Sequence, residues 1–254
     1  MSIKIALLFS GHLRSFEKTY ISFLENFSHL NDIDIFCHTW NTLGHNDKVW
    51  WNNNGDSIYN KKLNEVHLQN LRNFYNPKKI KIDNSINFVS ENDEYNNKYV
   101  GYNALKNQWE GLYRVNQLRL DYENETNKKY DCVIRSRYDI KYQETFFNEH
   151  LIKKCLDKYK FNFLYSYTDK KEDLYSDSFY FSCPYYFDNL INNMYDKVDK
   201  FIYASINKFK VIEGEATITE FLRKNFENEN DYNRFRYKCS ILRLDGRELP
   251  LYFD

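Results

Sequence analysis

The residues best suited to chemistry are three charges that follow directly on an apolar run. Cys132, Val133 and Ile134 are succeeded by Arg135, Ser136, Arg137, Tyr138 and Asp139. A short apolar run that stops at charged residues reads as a buried strand whose carboxyl end opens into a site. If the strand persists, its alternation sets Arg135, Arg137 and Asp139 on one side. Arginine offers a fork of N–H donors matched to phosphate oxygens, and aspartate offers a hard oxygen to Mg2+ or Mn2+. These types therefore allow diphosphate handling, with a metal on Asp139 completed by phosphate oxygens and water. The competing reading is an exposed, salt-bridged strand end.

A second constellation follows the apolar run 3–9: Ser10, Gly11, His12, Leu13 and Arg14. Gly11 permits close backbone approach, and the start of the helix that follows favours anions. Arg14 is then a candidate for holding a diphosphate or a base, against the simpler reading of a strand-to-helix turn. His38, Trp40 and Asn41 end a second strand on the same expected edge, as site residues or as packing. Asp177 and Glu215 are candidates for a general base that deprotonates a hydroxyl. A carboxylate at a helix start, such as Glu215, is also favourable for the helix dipole alone. No GxGxxG, GxxxxGK[ST] or GxSxG motif occurs, so dinucleotide-binding, P-loop and serine-hydrolase readings lose support.

These residues need elements to hold them. Phe16, Tyr20, Phe23, Leu24 and Phe27 recur at helical spacing and predict a helix over 15–28. With strands at 3–9 and 33–37 this is a βαβ unit with a right-handed crossover. A second helix over 63–74, closed by Pro77, leads to a strand at 79–82. The longest helical pattern, 103–122, feeds the strand at 131–135. Further strands are expected at 161–165 and 179–181, a helix from Pro184, a short helix over 216–223, and a last extended stretch at 235–244. Segments 42–60 and 84–100 are polar; the first carries Trp50 and Trp51 and is expected to lie over the site as a lid. The order implies an α/β fold, three layers α/β/α with a mostly parallel central sheet and a more irregular C-terminal half.

Composition narrows the class. The 254 residues suit one large domain. With 42% hydrophobic and 28% charged residues the chain is an ordinary globular one. A formal net charge of +0 argues against a general nucleic-acid binder, so no nucleic-acid partner is expected. The 23 Tyr and 20 Phe fit an AT-rich coding bias, and also suit sugars, which pack on aromatic faces. Five Cys without a CxxC spacing suggest neither a zinc site nor a disulfide framework. No run approaches the ~20 apolar residues that span a bilayer, and the start does not read as a signal peptide. A cytoplasmic location is expected.

Taken in order, several motifs carry a resemblance. They are Ser10-Gly11-His12-Leu13-Arg14 after a strand, His38-Thr39-Trp40 closing a strand, Gln108-Trp109 in a long helix, the Tyr130 to Asp139 strand, Asp177 before a short strand, and Gly214-Glu215 before a helix. The series resembles bacterial glycosyltransferases of surface polysaccharide synthesis, the WavE-like family among them. The resemblance covers most of residues 3–225. It implies a single GT-A-like domain over 1–254, with a nucleotide-binding half at 1–140 and an acceptor half at 141–254. It implies a nucleotide-sugar donor held by Ser10, Gly11, Arg14, His38, Trp40, Gln108, Arg135 and Arg137. A divalent metal would sit on Asp139, with Asp177 or Glu215 acting on the acceptor. The acceptor would be a saccharide or lipid-linked saccharide of capsule or lipopolysaccharide type, which allows peripheral attachment at the inner face of the membrane. The sequence departs from the family's Asp-x-Asp motif: the triplet is Arg137-Tyr138-Asp139, so Arg137 stands where the first Asp is expected. The Pro of a Pro-Glu pair is also missing before the last helix. The departure keeps a second reading open, a non-catalytic nucleotide- or glycan-binding module on the same fold.

Overall fold

The computed structural model describes residues 2–44, 60–89, 101–143, 147–166, 174–209, 214–225, 231–235, 239–243 and 248–250. The lid expected around Trp50 and Trp51 lies outside them.

The first strand, β1 (Ile5–Ser10), is buried along its whole length. Its side chains alternate between two cores: Ile5, Leu7 and Phe9 enter one, Ala6 and Leu8 the other. A strand apolar on both faces needs cover on both, and the helices divide accordingly. On the first face lie α1 (Phe16–Phe27) and α2 (Glu65–Tyr75), with Phe16, Phe23, Phe27, Leu71 and Tyr75 inward. On the second lies α3 (Tyr102–Thr126), with Leu105, Trp109, Leu112 and Val115 inward.

The strands β2 (Ile33–Trp40), β3 (Lys79–Asp83) and β4 (Cys132–Ser136) all run parallel to β1. Beyond them β5 (Ile140–Tyr142) leads to α4 (Glu149–Lys158), β6 (Phe161–Ser166) and β7 (Leu174–Ser182). Then come α5 (Pro184–Phe209), α6 (Gly214–Asn225), β8 (Tyr232–Phe235), β9 (Cys239–Leu242) and β10 (Glu248–Pro250). The central sheet has the order β3-β2-β1-β4-β7-β6-β8, and β5, β9 and β10 make a small antiparallel sheet. Among the described strands of the central sheet β7 alone is reversed. The expected three-layer α/β/α fold with a mostly parallel sheet is the one observed.

Two features of this order position the site. From β1 the chain steps outward to β2 and β3, then crosses back over the second face through α3 to β4, on the other side of β1. The strand order therefore reverses between β1 and β4, and the crevice beyond their carboxyl ends is where open α/β sheets take ligands. Because β7 is reversed, its first residues lie at the same edge: Tyr180 pairs with Arg135 and Asp177 is three residues earlier.

Candidate functional site

The turn after β4 is held from below. Tyr138 is 1% exposed and stacks on Phe9 with ring centroids 5.2 Å apart. Its hydroxyl donates to the His38 carbonyl at 3.1 Å, and its own carbonyl accepts from Thr19 Oγ1. An aromatic anchor between Arg137 and Asp139 fixes both flanking side chains at the edge of the sheet.

The turn after β1 meets it there. Gly11 has φ +115°, which favours glycine, and a Cβ placed on it would meet nothing within 4 Å. The backbone thus borders open space at the β1–β4 crevice. Arg14 adopts φ 47°, a strained conformation for a residue with a side chain, and such strain gathers at functional sites. Its Nη1 donates to Asp139 Oδ2 at 2.7 Å.

Asp139 collects further cations. Arg137 donates from Nε to Oδ1 at 2.9 Å and from Nη2 to Oδ2 at 2.8 Å, a forked pair. Arg243, directly after β9, brings Nη1 to 3.8 Å of the same Oδ2. Burial alone would raise the pKa of this carboxyl, but Arg137, Arg14 and Arg243 outweigh it and hold it far below the usual carboxylate range. Burial likewise opposes the charge of Arg137; Asp139, with Asp177 and Glu215 beyond it, more than offsets this and raises its pKa.

The acidic side of the cluster is built by β7 and α6. Asp177 is 5% exposed and accepts from Gln108 Nε2 at 2.7 Å and from Ser178 Oγ at 3.1 Å. The first residue of α6 lies against it: a Cβ on Gly214 would stand 1.8 Å from Asp177 Oδ2, so only glycine fits. Glu215 follows, half-buried and within electrostatic reach of Arg137.

Other expected site residues lie in the packing around this cluster. Arg135 is 1% exposed and donates from Nη1 to the Ser178 carbonyl, on the second face of the sheet. Strand β4 ends at Ser136, so the strand alternation expected to carry on to Arg137 and Asp139 stops short of them. His38 and Trp40 are sealed beneath α3, where Gly111 allows the helix to approach: a Cβ there would lie 3.2 Å from His38 Nδ1. His38 Nε2 faces Asp83 Oδ2 at 3.2 Å, and Asp83 binds Arg114 Nη1 at 2.6 Å. Burial lowers the His38 pKa to about 4, with Asp83 partly opposing. Ser10 is buried at the end of β1, and its Oγ has no hydrogen-bond partner among the described residues. His12, within the turn after β1, shares a hydrogen bond with the Thr42 carbonyl at 3.0 Å. Burial, and Arg14 beside it, lower its pKa to about 3, so the ring is neutral at physiological pH.

The donor set does not fit a divalent metal on Asp139. Three hydrogen bonds from arginine already occupy the two oxygens. A unit charge about 4 Å from another costs or gains about 4 kcal/mol at an effective dielectric of ~20, so a dication set among Arg14, Arg137 and Arg243 meets strong repulsion. Among the described residues no group of three His, Cys, Asp or Glu is arranged to hold a metal ion. The carboxylate expected to ligate Mg2+ or Mn2+ serves as an acceptor for guanidiniums.

Sequence reasoning brought Arg14, Arg137, Asp139, Asp177, Glu215 and Gln108 to one place, and the structure gathers them there. It did not find Arg243, whose one signal is a lone cation inside the apolar run 241–244. Nor did it find the Asp83–Arg114 pair behind His38. Among the described residues no helix is long and apolar enough to cross a membrane.

No protein-family model matches this chain, and no curated protein does. Among solved structures, it is similar to that of a glycosyltransferase involved in the glycosylation of the major capsid of PBCV-1. The similarity covers 92% of this chain and 82% of that one, at 7% sequence identity and a TM-score of 0.44.

Proposed function

We propose that this protein is a glycosyltransferase that moves a sugar from a nucleotide-sugar donor to a saccharide acceptor of a cell-surface glycan. The observation that carries the reading is the meeting of the Gly11–Arg14 turn with Arg137 and Asp139 at the β1–β4 crevice, with two carboxylates beside them. In this reading Arg14 and Arg137 receive the donor's diphosphate, and the open space over Gly11 admits it. The bond from the sugar's anomeric carbon to the phosphate oxygen breaks, and a bond to the acceptor oxygen forms. The guanidiniums stabilise charge as it develops on the leaving diphosphate, and the fixed crevice aligns the acceptor hydroxyl.

Glu215 takes the acceptor proton. It is half-buried at the margin of the cluster, at the start of α6 and within electrostatic reach of Arg137. Asp177 positions Gln108 and the start of α6. The acceptor is a capsular or lipopolysaccharide saccharide, lipid-linked where the enzyme works against the inner face of the membrane. The half 1–140 supplies the donor side and 141–254 the acceptor side.

A panel of UDP-, GDP- and CMP-sugars tests this. Thermal shift reports binding, and released nucleotide reports turnover. One donor should raise the melting temperature and release nucleotide in the presence of acceptor, and Glu215→Gln should lower turnover about 100-fold or more while leaving the thermal shift in place. Binding without release by the wild-type protein supports the non-catalytic module instead, and no binding by any donor class removes the proposal.

A further inference from the structure

We infer that Ser10, Trp109, Arg135 and Tyr180 line a sugar-recognition pocket behind the β1–β4 crevice, and that it takes an uncharged, hydroxyl-bearing donor sugar. The inference deepens the glycosyltransferase reading and rests on it for the identity of the ligand.

Four buried polar groups carry it. Ser10 Oγ, Trp109 Nε1, Arg135 Nε and the Tyr180 hydroxyl have no hydrogen-bond partner among the described residues, and none of the four residues is more than 3% exposed. Native interiors leave few such groups, because a buried donor without an acceptor keeps its full desolvation cost. Here they gather on one face of the sheet at one edge. Ser10 shares the second face with Ala6 and Leu8 by the alternation of β1. Tyr180 and Trp109 belong to the core on that face. Arg135 pairs with Tyr180 across β4 and β7, but its guanidinium reaches along β7 to the Ser178 carbonyl, toward Asp177 and the edge that carries the crevice. That neutral carbonyl takes the one hydrogen bond of its side chain among the described residues. Trp109 follows Gln108 in α3, and Gln108 bonds Asp177, so the helix brings the indole to the same place. Ser10 directly precedes Gly11, so these groups adjoin the place given to the diphosphate.

The atoms define what fits. Trp109 Nε1 and Arg135 Nε can only donate, whereas the hydroxyls of Ser10 and Tyr180 donate or accept. The occupant must bring several accepting oxygens and tolerate donors and acceptors side by side, as sugar hydroxyls do. Asp177 stands within electrostatic reach of both Arg135 and Tyr180. It accepts from Gln108 and from Ser178 Oγ, and an ionised carboxylate has about four lone-pair sites, so it can accept from a sugar hydroxyl as well. The same carboxylate repels another, which sets the pocket against an acidic sugar.

The experiment titrates the full chain calorimetrically with UDP and GDP, with UDP-glucose, UDP-galactose and GDP-mannose, and with the acidic UDP-glucuronate and CMP-sialate. An uncharged nucleotide sugar should bind at least about fivefold more tightly than either acidic one. Tyr180→Phe and Ser10→Ala should each weaken that nucleotide sugar roughly fivefold or more and leave the bare nucleoside diphosphate within about twofold. Each variant should melt at or above the wild-type temperature, because it removes an oxygen that the fold does not use. Equal effects on nucleotide sugar and nucleoside diphosphate overturn the inference. So does a lowered melting temperature of ligand-free Tyr180→Phe, which would show that the fold itself holds the hydroxyl, and so does an acidic sugar bound as tightly as the uncharged ones. If a nucleoside diphosphate binds and no uncharged nucleotide sugar does, the inference falls while the diphosphate site stands. If nothing in the panel binds the wild-type chain, the glycosyltransferase reading falls and takes the inference with it.

Discussion

His38 shows how a polar residue at a strand end is made structural. It lies near the end of β2 with no exposed surface, and burial lowers its pKa to about 4; Asp83 opposes the shift while Arg114 and Lys81 add to it. The unfolded chain titrates near 6.5, so between pH 6.5 and 4 the unfolded state binds a proton that the folded state does not. Stability must therefore fall as pH falls through that window, by on the order of 3 kcal/mol from this group. His12, with its pKa lowered to about 3, adds loss of the same sign. Urea midpoints measured from neutral to mildly acid pH check this: His38→Gln should flatten the slope, and an unchanged slope contradicts the assignment. The same scale explains which site residues could be read from sequence. Arg137 and Asp139 stood out because charge follows abruptly on an apolar run. Arg14 stood out because it follows a glycine at a strand end. Arg243 did not, because what makes it part of the site is a pairing of β9 with β5, and no local pattern encodes that.

At the scale of elements, α6 is set against β7 by the smallest possible residue. A methyl on Gly214 would overlap Asp177 Oδ2 at 1.8 Å, so Gly214→Ala must displace the helix start, the Asp177 carboxylate, or both. The expected cost is about 1–3 kcal/mol of stability, with nucleotide release lost as Glu215 moves with the helix. Thermal unfolding and the release assay together read both effects; a fully active and fully stable variant contradicts the packing described. On the same face, α3 is pinned to α5 by Arg119. Its side chain is 0% exposed and bonds Asn116, Glu123 at 2.7 Å and Asp188. Arg119→Ala leaves buried Glu123 with only the more distant Lys129 and part-exposed Asp188 without its guanidinium, and urea unfolding should show a loss on the order of 3 kcal/mol. A loss below about 1 kcal/mol would place the pair among surface-like salt bridges. The elements themselves were uneven in legibility. β1, α1, α2 and α3 carry clear periodicity and fall within a few residues of expectation. In β7 the sequence suggests only 179–181, because Ser176, Asp177 and Ser178 look solvent-facing; β6 and α6 bury them. α4 was not anticipated although Leu151, Ile152, Cys155 and Leu156 have helical spacing, and the three-residue β5 is too short to carry a pattern.

For the whole molecule, topology does what no single motif can. The reversal of strand order between β1 and β4 makes a crevice, and the reversed β7 brings Asp177 toward the same edge. Arg14, Arg137 and Asp139 therefore meet Asp177 and Glu215 although they come from opposite halves of the chain. The parallel arrangement could be read from the alternation of strands and helices through residue 136, since each crossover needs a helix. The antiparallel β7 and the small sheet could not, because strand direction after residue 140 depends on long-range pairing. The most direct test of the account is a crystal structure of the protein with the nucleoside diphosphate that binds it. The account predicts phosphate oxygens within hydrogen-bond distance of Arg14 and Arg137, over Gly11, with the Glu215 carboxylate facing the terminal phosphate. A nucleotide seated elsewhere, with the Asp139 cluster closed and untouched, would contradict it.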